Sequence, residues 1–227
     1  MRGEAGKGRG CVIFDLDGTL ADTAPLIAGI VNAMLADRGS PRRVTARDTA
    51  PHVIAGARAM MGAVLEIGPD DIDAAVSEFR ARYLATPTPK DCLYPGAREA
   101  LGALTARGFA LGVWSNKLQA LCDKTLAELG VAELFGAIVG TGPEAPPKPD
   151  PTGFNLALSR AGGRRERCVY VGDSELDHQV AKIAGVPMVM MTHGYGGYDV
   201  AGVSSPPGVA AAAFSELPGL IEALVPV

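Results

Sequence analysis

Most of the chain beyond about residue 93 alternates helical patterns with short apolar runs. Residues 12–14 are also apolar and partly β-branched, which predicts a short buried strand near the start of the chain. Similar runs follow, each after a helical segment or a loop, and they predict strands over residues 110–114, 137–140, 168–171, 186–191 and 209–213. Helices that alternate with short apolar strands predict a parallel sheet covered on both faces. The predicted fold class is therefore α/β, with a doubly wound parallel-sheet, Rossmann-like core.

The segment after the first strand has only helical periodicity. Ile72, Val76, Phe79 and Tyr83 recur every three to four residues, and earlier apolar positions keep the same spacing between Gly and Pro breaks. This pattern predicts an all-helical cap inserted after the first strand and joined to the core by two connections, as suits a hinged lid. The predicted division is a core of residues 11–22 and 89–227, a cap of residues 23–88, and a flexible tail of residues 1–10.

Two helix starts are visible inside the predicted cap. Thr23 is placed to cap the first helix, with Pro25 in its first turn. Thr45 and Asp48 have the spacing of a capping box at the start of the second helix. Both patterns predict where the chain passes from a loop into a helix.

Composition and charge limit the class of protein. The 227 residues carry a net charge of −4, so there is no basic surface of the kind that binds nucleic acid or an anionic membrane. No apolar run approaches the roughly 18 residues of a membrane span, and the Gly-rich, charged N-terminus lacks the apolar centre of a signal peptide. The four cysteines are scattered with no C-x-x-C pair, which argues against a zinc site or disulfides. We therefore expect a reduced, cytoplasmic location.

Two carboxylates follow the first strand, in the run D-L-D-G-T-L at residues 15–20. In open α/β sheets, ligands bind at the carboxyl ends of the strands. Asp15 and Asp17 would repel each other there unless a cation or a shared proton relieved them. The alternative is ordinary turn chemistry, in which one Asp caps the turn and the other is exposed to solvent.

Three later segments bring polar groups to other strand ends or adjoining loops. Ser115 and Asn116 end one strand just before a helix that is predicted to start at the next residue, and a helix N-terminus favours an anion. Lys148 is held between prolines in the run P-P-K-P. Asp173 ends another strand, and Asp177 lies one helical turn later on the same face. Singly, each has a structural explanation, as a helix cap, a first-turn acid or a surface loop.

In this order and on these elements, the four segments resemble the four signature motifs of the haloacid dehalogenase-like hydrolase superfamily. The resemblance extends over residues 11–198 and includes the position of the helical cap. It implies that Asp15 is the nucleophile that becomes an aspartyl phosphate, and that Asp17 protonates the leaving alkoxide and then activates water. Anionic neighbours would help Asp17 to stay protonated. Lys148 is the third catalytic residue that the resemblance implies.

The same resemblance implies how the phosphoryl group and a metal are held. The implied substrate-binding residues are Thr19, Ser115, Asn116 and Lys148. The implied metal is Mg²⁺, and its ligands are Asp15, Asp17 through its backbone carbonyl, Asp173 and Asp177, which orients the others. A carboxylate attacks an anionic phosphate poorly unless charge is neutralised, and the cation and Lys148 would supply that neutralisation.

Two features reduce the number of reactions that the resemblance allows. Asp17 separates phosphate chemistry from the dehalogenases of the superfamily, which lack an acid at this position. Residues 23–88 contain no lysine, so the cap has no counterpart of the Schiff-base lysine of the phosphonate-cleaving members. A phosphomonoesterase, a sugar-phosphate mutase of the beta-phosphoglucomutase kind and a pyrophosphatase remain. A regulator that binds a ligand without catalysis is the alternative from another class.

Several short runs resemble phosphoglycolate phosphatases in particular. They are S-N-K at 115–117, L-Y-P-G at 93–96, T-H-G-Y-G at 192–196 and A-G-A-R at 55–58. Arg58, beside the flexible Gly56, has two interpretations: it reaches over the site and clamps a small carboxylate, or it is a solvated arginine on a helix face. Tyr195 and Tyr198 are predicted to order the late loop. We therefore predict a Mg²⁺-dependent phosphatase of a small phosphorylated metabolite, with 2-phosphoglycolate as the best single substrate, acting as a monomer or homodimer.

Overall fold

The computed structural model describes residues 9–196 and 208–225. Within them six strands form one sheet: β1 (Gly10–Phe14), β2 (Phe109–Leu118), β3 (Ala137–Thr141), β4 (Cys168–Gly172), β5 (Met188–Met191) and β6 (Gly208–Ala211). All pairings are parallel, in the order β3-β2-β1-β4-β5-β6. The predicted α/β class with a parallel, Rossmann-like sheet is confirmed. Of the predicted tail, residues 1–8 lie outside the described residues, and Gly10 already belongs to β1.

Strand β1 lies in the middle of the sheet and is buried on both faces. Val12 and Phe14 face one apolar cluster, while Cys11 and Ile13 face the other. Both faces of a parallel sheet are covered by helices, which is why this strand appears in the sequence as a continuous apolar run. The chain order reverses beside β1, so the carboxyl ends of β1 and β4 border the crevice in which such sheets bind ligands.

Nine α-helices accompany the sheet in the described residues: α1 (Ala24–Asp37), α2 (Ala46–Val53), α3 (Ala57–Leu65), α4 (Ile72–Ala85), α5 (Ala97–Ala106), α6 (Gln119–Leu129), α7 (Thr152–Arg160), α8 (Glu175–Ala184) and α9 (Leu217–Leu224). The first four follow β1 with no strand between them. They enclose an apolar cluster of their own that includes Met34, Met61 and Tyr83. Thr45 and Asp48 form the predicted capping box at the start of α2. The division of the chain into a core and a cap domain stays a prediction.

Thr23 precedes α1 but does not cap it. The helix starts at Ala24 with Pro25 in its first turn, and the Thr23 side chain makes no capping hydrogen bond. The backbone of Thr23 is helical, with φ −89° and ψ −5°, whereas a capping residue usually has an extended backbone. Its hydroxyl donates instead to the carboxylate of Asp17, 2.6 Å away. The predicted role of Thr23 as the N-cap residue of α1 is therefore wrong, and Thr23 belongs to the site described below.

Strand β2 runs beyond its predicted end at residue 114 and continues to Leu118. The predicted helix start at Lys117 is wrong, since α6 begins at Gln119. The register with β3 is irregular over this stretch. A side chain of β3 holds the extended backbone, because the hydroxyl of Thr141 donates to the carbonyl of Asn116 at 3.2 Å. The longer strand places Asn116 and Lys117 beyond the predicted carboxyl end of β2, in the site described below.

The described residues also test the expectations about membrane spans and disulfides. None of the helices in residues 9–196 and 208–225 has the length and apolar content needed to cross a membrane. The four cysteines are buried and none forms a disulfide. Cys11 and Cys168 lie opposite each other on β1 and β4, where they pack as small apolar side chains.

Candidate active site

Asp15 and Lys148 form a buried ion pair at the carboxyl end of β1. Lys148 Nζ donates to Asp15 Oδ1 at 2.7 Å and to Asp177 Oδ1 at 2.8 Å. Asp15 and Lys148 are each only 8% exposed, and Asp177 is 1% exposed. Burial alone would lower the pKa of Lys148, but the two carboxylates outweigh it and hold that pKa well above its usual value. One charged lysine is therefore shared between two acids.

Asp173 follows β4 and is held at both of its carboxylate oxygens. Its Oδ1 accepts a hydrogen bond from the Thr19 hydroxyl at 2.9 Å. Its Oδ2 accepts from the backbone N–H groups of Tyr195, at 2.6 Å, and Gly196, at 3.2 Å. The structure thus places Thr19 against Asp173, whereas the resemblance implied contact with substrate. Tyr195 helps to orient Asp173, and Tyr198 lies outside the described residues.

Asp177 is fixed by the start of α8. Ser174 caps this helix and forms a capping box with Asp177, whose Oδ2 accepts from the Ser174 hydroxyl at 2.6 Å. The same oxygen accepts from the backbone N–H of Asp173 at 3.2 Å. Burial raises the pKa of Asp177, but Lys148 and these hydrogen bonds outweigh it, so the pKa lies below its ordinary value. Asp177 is therefore a positioned anion that orients both Lys148 and the segment carrying Asp173.

Asp15, Asp173 and Asp177, which we call the acid cluster, bring one carboxylate oxygen each to within 4.8 Å of one another. Burial, opposed only in part by Lys148, raises the pKa of Asp15 to about 8. Burial and the charge of Asp177 raise the pKa of Asp173 to about 7. The cluster is short of positive charge, and its oxygen ligands suit a divalent cation such as Mg²⁺. Three of the four predicted metal ligands therefore come together.

The fourth, Asp17, is predicted to bind through its backbone carbonyl, which stays a prediction, and its side chain is bound outside the acid cluster. Lys117 Nζ donates to both of its carboxylate oxygens at 2.9 Å, and the Thr23 hydroxyl donates to Oδ1. The two charged side chains are only 9% and 5% exposed. Burial alone would lower the pKa of Lys117, but the Asp17 carboxylate outweighs it and raises that pKa. We call Asp17 and Lys117 the Asp17 pair.

Lys117 is a site residue that the sequence did not identify. The expectation that anionic neighbours keep Asp17 protonated does not match this geometry, because the closest charged group is a lysine. The apolar pattern predicts a helix start at Lys117, whereas the residue lies on β2. The available signals are its position directly after Ser115 and Asn116 and the S-N-K run that resembles phosphoglycolate phosphatases.

Ser115 and Asn116 line the same cavity as Asp15 and Asp17. Ser115 is buried, and its hydroxyl oxygen accepts the backbone N–H of Lys117 at 3.3 Å. Asn116 Oδ1 accepts the backbone N–H of Lys148 at 2.7 Å, and Nδ2 donates to the carbonyl of Ile54 at 3.1 Å. Because α6 begins after Leu118, Ser115 is not at a helix N-terminus as predicted. Asn116 links the Lys148 loop to the end of α2.

Two connected cavities border these residues. The first, of about 20 Å³, is lined by Asp15, Asp17, Ser115, Asn116, Lys117 and Lys148, with Val53 and Ile54 from the end of α2 among its other walls. The second, of about 50 Å³, extends from Asp17, Asn116 and Lys117 toward α3 and α4, and we call it the cap cavity. Arg58 lines neither of them. It forms an ion pair with Asp73, and both side chains are mostly exposed, so the predicted clamp does not reach the site.

Comparison with known proteins agrees with this arrangement. The family described as haloacid dehalogenase-like hydrolase matches residues 12–191. A phosphoglycolate phosphatase of Xanthomonas campestris is 37% identical over 185 residues, which is 81% of this chain and 83% of that protein. A phosphoglycolate phosphatase of Agrobacterium fabrum is 36% identical over 219 residues, 94% of this chain and 93% of that protein.

A solved structure extends the similarity to the fold. The crystal structure of a Haemophilus somnus protein, described as a predicted phosphoglycolate phosphatase, superposes with a TM-score of 0.79. The two are 25% identical in sequence, and the match covers 92% of this chain and 96% of that one. Sequence and fold therefore agree over nearly the whole described chain.

Proposed function

This chain belongs to the haloacid dehalogenase-like hydrolase family, and on that premise we propose that it is a phosphatase that hydrolyses 2-phosphoglycolate with Mg²⁺ as cofactor. The observation that carries the proposal is that Asp15, Asp17, Ser115 and Lys148 line one buried cavity. The relatives from Xanthomonas and Agrobacterium that bear the name phosphoglycolate phosphatase support this substrate. We expect the protein to act on this small metabolite in the cytoplasm, as a monomer or homodimer.

Asp15 is the nucleophile in this proposal. Its carboxylate oxygen attacks phosphorus, and the bond between phosphorus and the ester oxygen breaks, which leaves an aspartyl phosphate on Asp15. Asp17 gives its proton to the departing alkoxide and then takes a proton from the water that releases phosphate. The Asp17 pair supports the position of this group, because Lys117 and Thr23 hold the carboxyl group in one orientation beside the cavity. It does not supply the proton, since a neighbouring lysine favours the ionised carboxylate.

Ser115 and Lys148 bind the phosphoryl group in this proposal. Both are buried on the walls of the first cavity, next to Asp15. Phosphoryl transfer depends mainly on positioning and on stabilising charge, and a hydroxyl and an ammonium group supply both. Asn116 contributes by holding the backbone of Lys148 rather than by direct binding, since both ends of its amide are already hydrogen-bonded.

The acid cluster fits the metal that the family uses. Asp15 and Asp173 would hold Mg²⁺ through carboxylate oxygens, and Asp177 would keep them in position. Three buried carboxylates against one lysine leave an excess of negative charge that a divalent cation offsets. When bound, the cation neutralises charge on the phosphate and on Asp15, and so favours the attack of one anion on another.

The test is phosphate release from 2-phosphoglycolate by the wild type and by Asp15→Asn, with Mg²⁺ or with EDTA. We expect Asp15→Asn to lose at least about 1,000-fold in kcat, and EDTA to abolish turnover of the wild type. Asp123→Asn is the matched control, because this acid is exposed on α6 and is absent from the walls of both cavities.

Other results would select the alternatives. Unchanged turnover in Asp15→Asn would rule out this nucleophile. Phosphate release from pyrophosphate or another phosphomonoester, but not from 2-phosphoglycolate, would correct the substrate. Isomerised sugar phosphate with little free phosphate would identify a mutase. No turnover on any phosphoester would favour a binding protein.

A further inference from the structure

The cap cavity has the character of a site for the part of the substrate that does not react. Its walls are largely apolar and include Ile27, Met60, Phe79 and Leu121. The charged residues that reach it in the described chain are Asp17, Lys117 and Arg80. An apolar cavity with a few placed polar groups is the usual form of a small-molecule site.

Arg80, on α4, is the cation of this site that makes no hydrogen bond or ion pair with any residue that the structure describes. Lys117 is bound to both oxygens of Asp17, and Lys148 is shared by two carboxylates of the acid cluster. The Nε of Arg80 is buried and has no hydrogen-bond partner, and no ion pair includes Arg80, within residues 9–196 and 208–225. Lys117 and Lys148 therefore have carboxylate partners within the described chain, whereas Arg80 has none.

Two other arginines of the helical segment have ion-pair partners. Arg82, two residues along the same helix, forms ion pairs with Asp37 and Glu78. Arg58 pairs with Asp73. A buried donor left without an acceptor costs about 1–3 kcal/mol, so such a group at the wall of a cavity calls for an acceptor from outside the chain.

We propose that Arg80 binds the carboxylate of the substrate, which makes it the residue that selects a phosphorylated carboxylic acid. The inference rests on the proposed function, in which phosphorus lies at Asp15 and the leaving oxygen at Asp17. Asp17 lines both cavities, so the group attached to that oxygen extends into the cap cavity. The planar guanidinium of arginine matches a carboxylate with two parallel hydrogen bonds, which lysine does not.

The size of the cap cavity agrees with a small acid. A volume of about 50 Å³ has room for roughly three to five water-sized groups. The carboxymethyl group of 2-phosphoglycolate is of this size. The site therefore combines one uncommitted cation with space for a short anionic chain.

The experiment compares Arg80→Met with its control Arg82→Met on two substrates in the presence of Mg²⁺: 2-phosphoglycolate, and ethyl phosphate, which has no carboxylate. We expect Arg80→Met to lose about 100-fold or more in kcat/KM on 2-phosphoglycolate and to be nearly unchanged on ethyl phosphate. Arg80→Lys should recover part of the loss, since charge returns without the paired geometry. Arg82→Met should match the wild type on both substrates.

A binding measurement separates this proposal from the proposed function. We expect the wild type to bind 3-phosphonopropionate at least about tenfold more tightly than propylphosphonate by titration calorimetry, and Arg80→Met to bind the two equally. This result without turnover of 2-phosphoglycolate would overturn the proposed function and keep the carboxylate site. Equal binding by the wild type, or an equal loss on both substrates in Arg80→Met, would overturn the role of Arg80 even if 2-phosphoglycolate is hydrolysed. A loss confined to Arg58→Met would assign the clamp to Arg58 instead.

Discussion

The two sides of the active site treat buried charge differently. On one side, the acid cluster sets three carboxylates against a single lysine, Lys148. On the other side, Asp17 is matched by Lys117 and by the hydroxyl of Thr23. The first arrangement has an excess of negative charge unless a cation is added, whereas the chain itself balances the second.

This difference explains how two acids separated by one residue acquire different tasks. A carboxylate that faces other carboxylates is poised to share a divalent cation, and Asp15 is in that position. A carboxylate bound at both oxygens by a lysine has a defined orientation and needs no metal, as in the Asp17 pair. Changes to pH, metal and Lys117 should therefore act on the two sides separately.

The largest expected effect is a loss of stability with rising pH when metal is absent. Burial and neighbouring acids raise the pKa of Asp15 to about 8 and of Asp173 to about 7, against about 3.9 for an unfolded chain. Between about pH 4 and pH 8 these two carboxyl groups are protonated in the folded protein and ionised in the unfolded chain. The stabilisation that the bound protons give the fold is therefore complete below about pH 4 and is lost as pH rises through 7 and 8. In EDTA, we expect the free energy of unfolding to fall by on the order of 4 kcal/mol between about pH 5.5 and 9.

Urea denaturation at these pH values measures the effect. Saturating Mg²⁺ should remove most of the decrease, because the cation replaces the protons. Asp173→Asn should reduce the decrease even in EDTA, whereas Asp123→Asn, which changes an exposed acid on α6, should retain it. A stability in EDTA that does not depend on pH would show that the acid cluster has no excess of negative charge.

The second expected effect comes from Lys117→Met, which leaves Asp17 buried without its cation. Removing one partner of a buried ion pair costs about 3–5 kcal/mol, and we expect a loss near the lower value, with or without Mg²⁺. Asp17→Asn in the same chain removes the unpaired charge and should restore part of the stability. Denaturant unfolding of the two single variants and the double variant measures the coupling.

Arg160→Met is the control for that experiment. Arg160 forms an ion pair with Glu144, and the two side chains are 47% and 75% exposed. Pairs at the surface contribute about 0–1 kcal/mol, so we expect a small change. If Lys117→Met costs no more than Arg160→Met, the Asp17 pair does not stabilise the fold and the two sides of the site are less different than their geometry indicates.

Much of the site could be predicted because it lies at the ends of buried strands. Asp15 and Asp173 end apolar runs, and the carboxyl ends of neighbouring parallel strands meet at one edge of the sheet. Ser115 ends the apolar run of β2, although the strand itself continues to Leu118. Lys148 could be identified because prolines on both sides of it are unusual in sequence. These positions depend on local pattern and on sheet topology alone.

The remaining residues depend on geometry that local pattern does not encode. Lys117 reaches Asp17 because β2 continues past its apolar run, and the hydrogen bonds that hold it there come from distant residues such as Thr141. The choice between Arg58 and Arg80 depends on how the cap helices are rotated over the core. Periodicity predicts that Phe79 faces inward, but it does not show whether the neighbouring Arg80 turns to solvent or into a cavity.

The smallest expected effect distinguishes the two donors that hold Asp17. Thr23 is fully buried, and its hydroxyl donates to Asp17 Oδ1 at 2.6 Å. Thr23→Val keeps the shape of the side chain and removes that donor, and a hydrogen bond to a charged acceptor contributes about 1.5–3 kcal/mol. Because Lys117 still binds the same oxygen, we expect a loss of only about 1–1.5 kcal/mol in urea denaturation, independent of Mg²⁺. A larger loss than that of Lys117→Met would show that the hydroxyl, rather than the lysine, holds this side of the site.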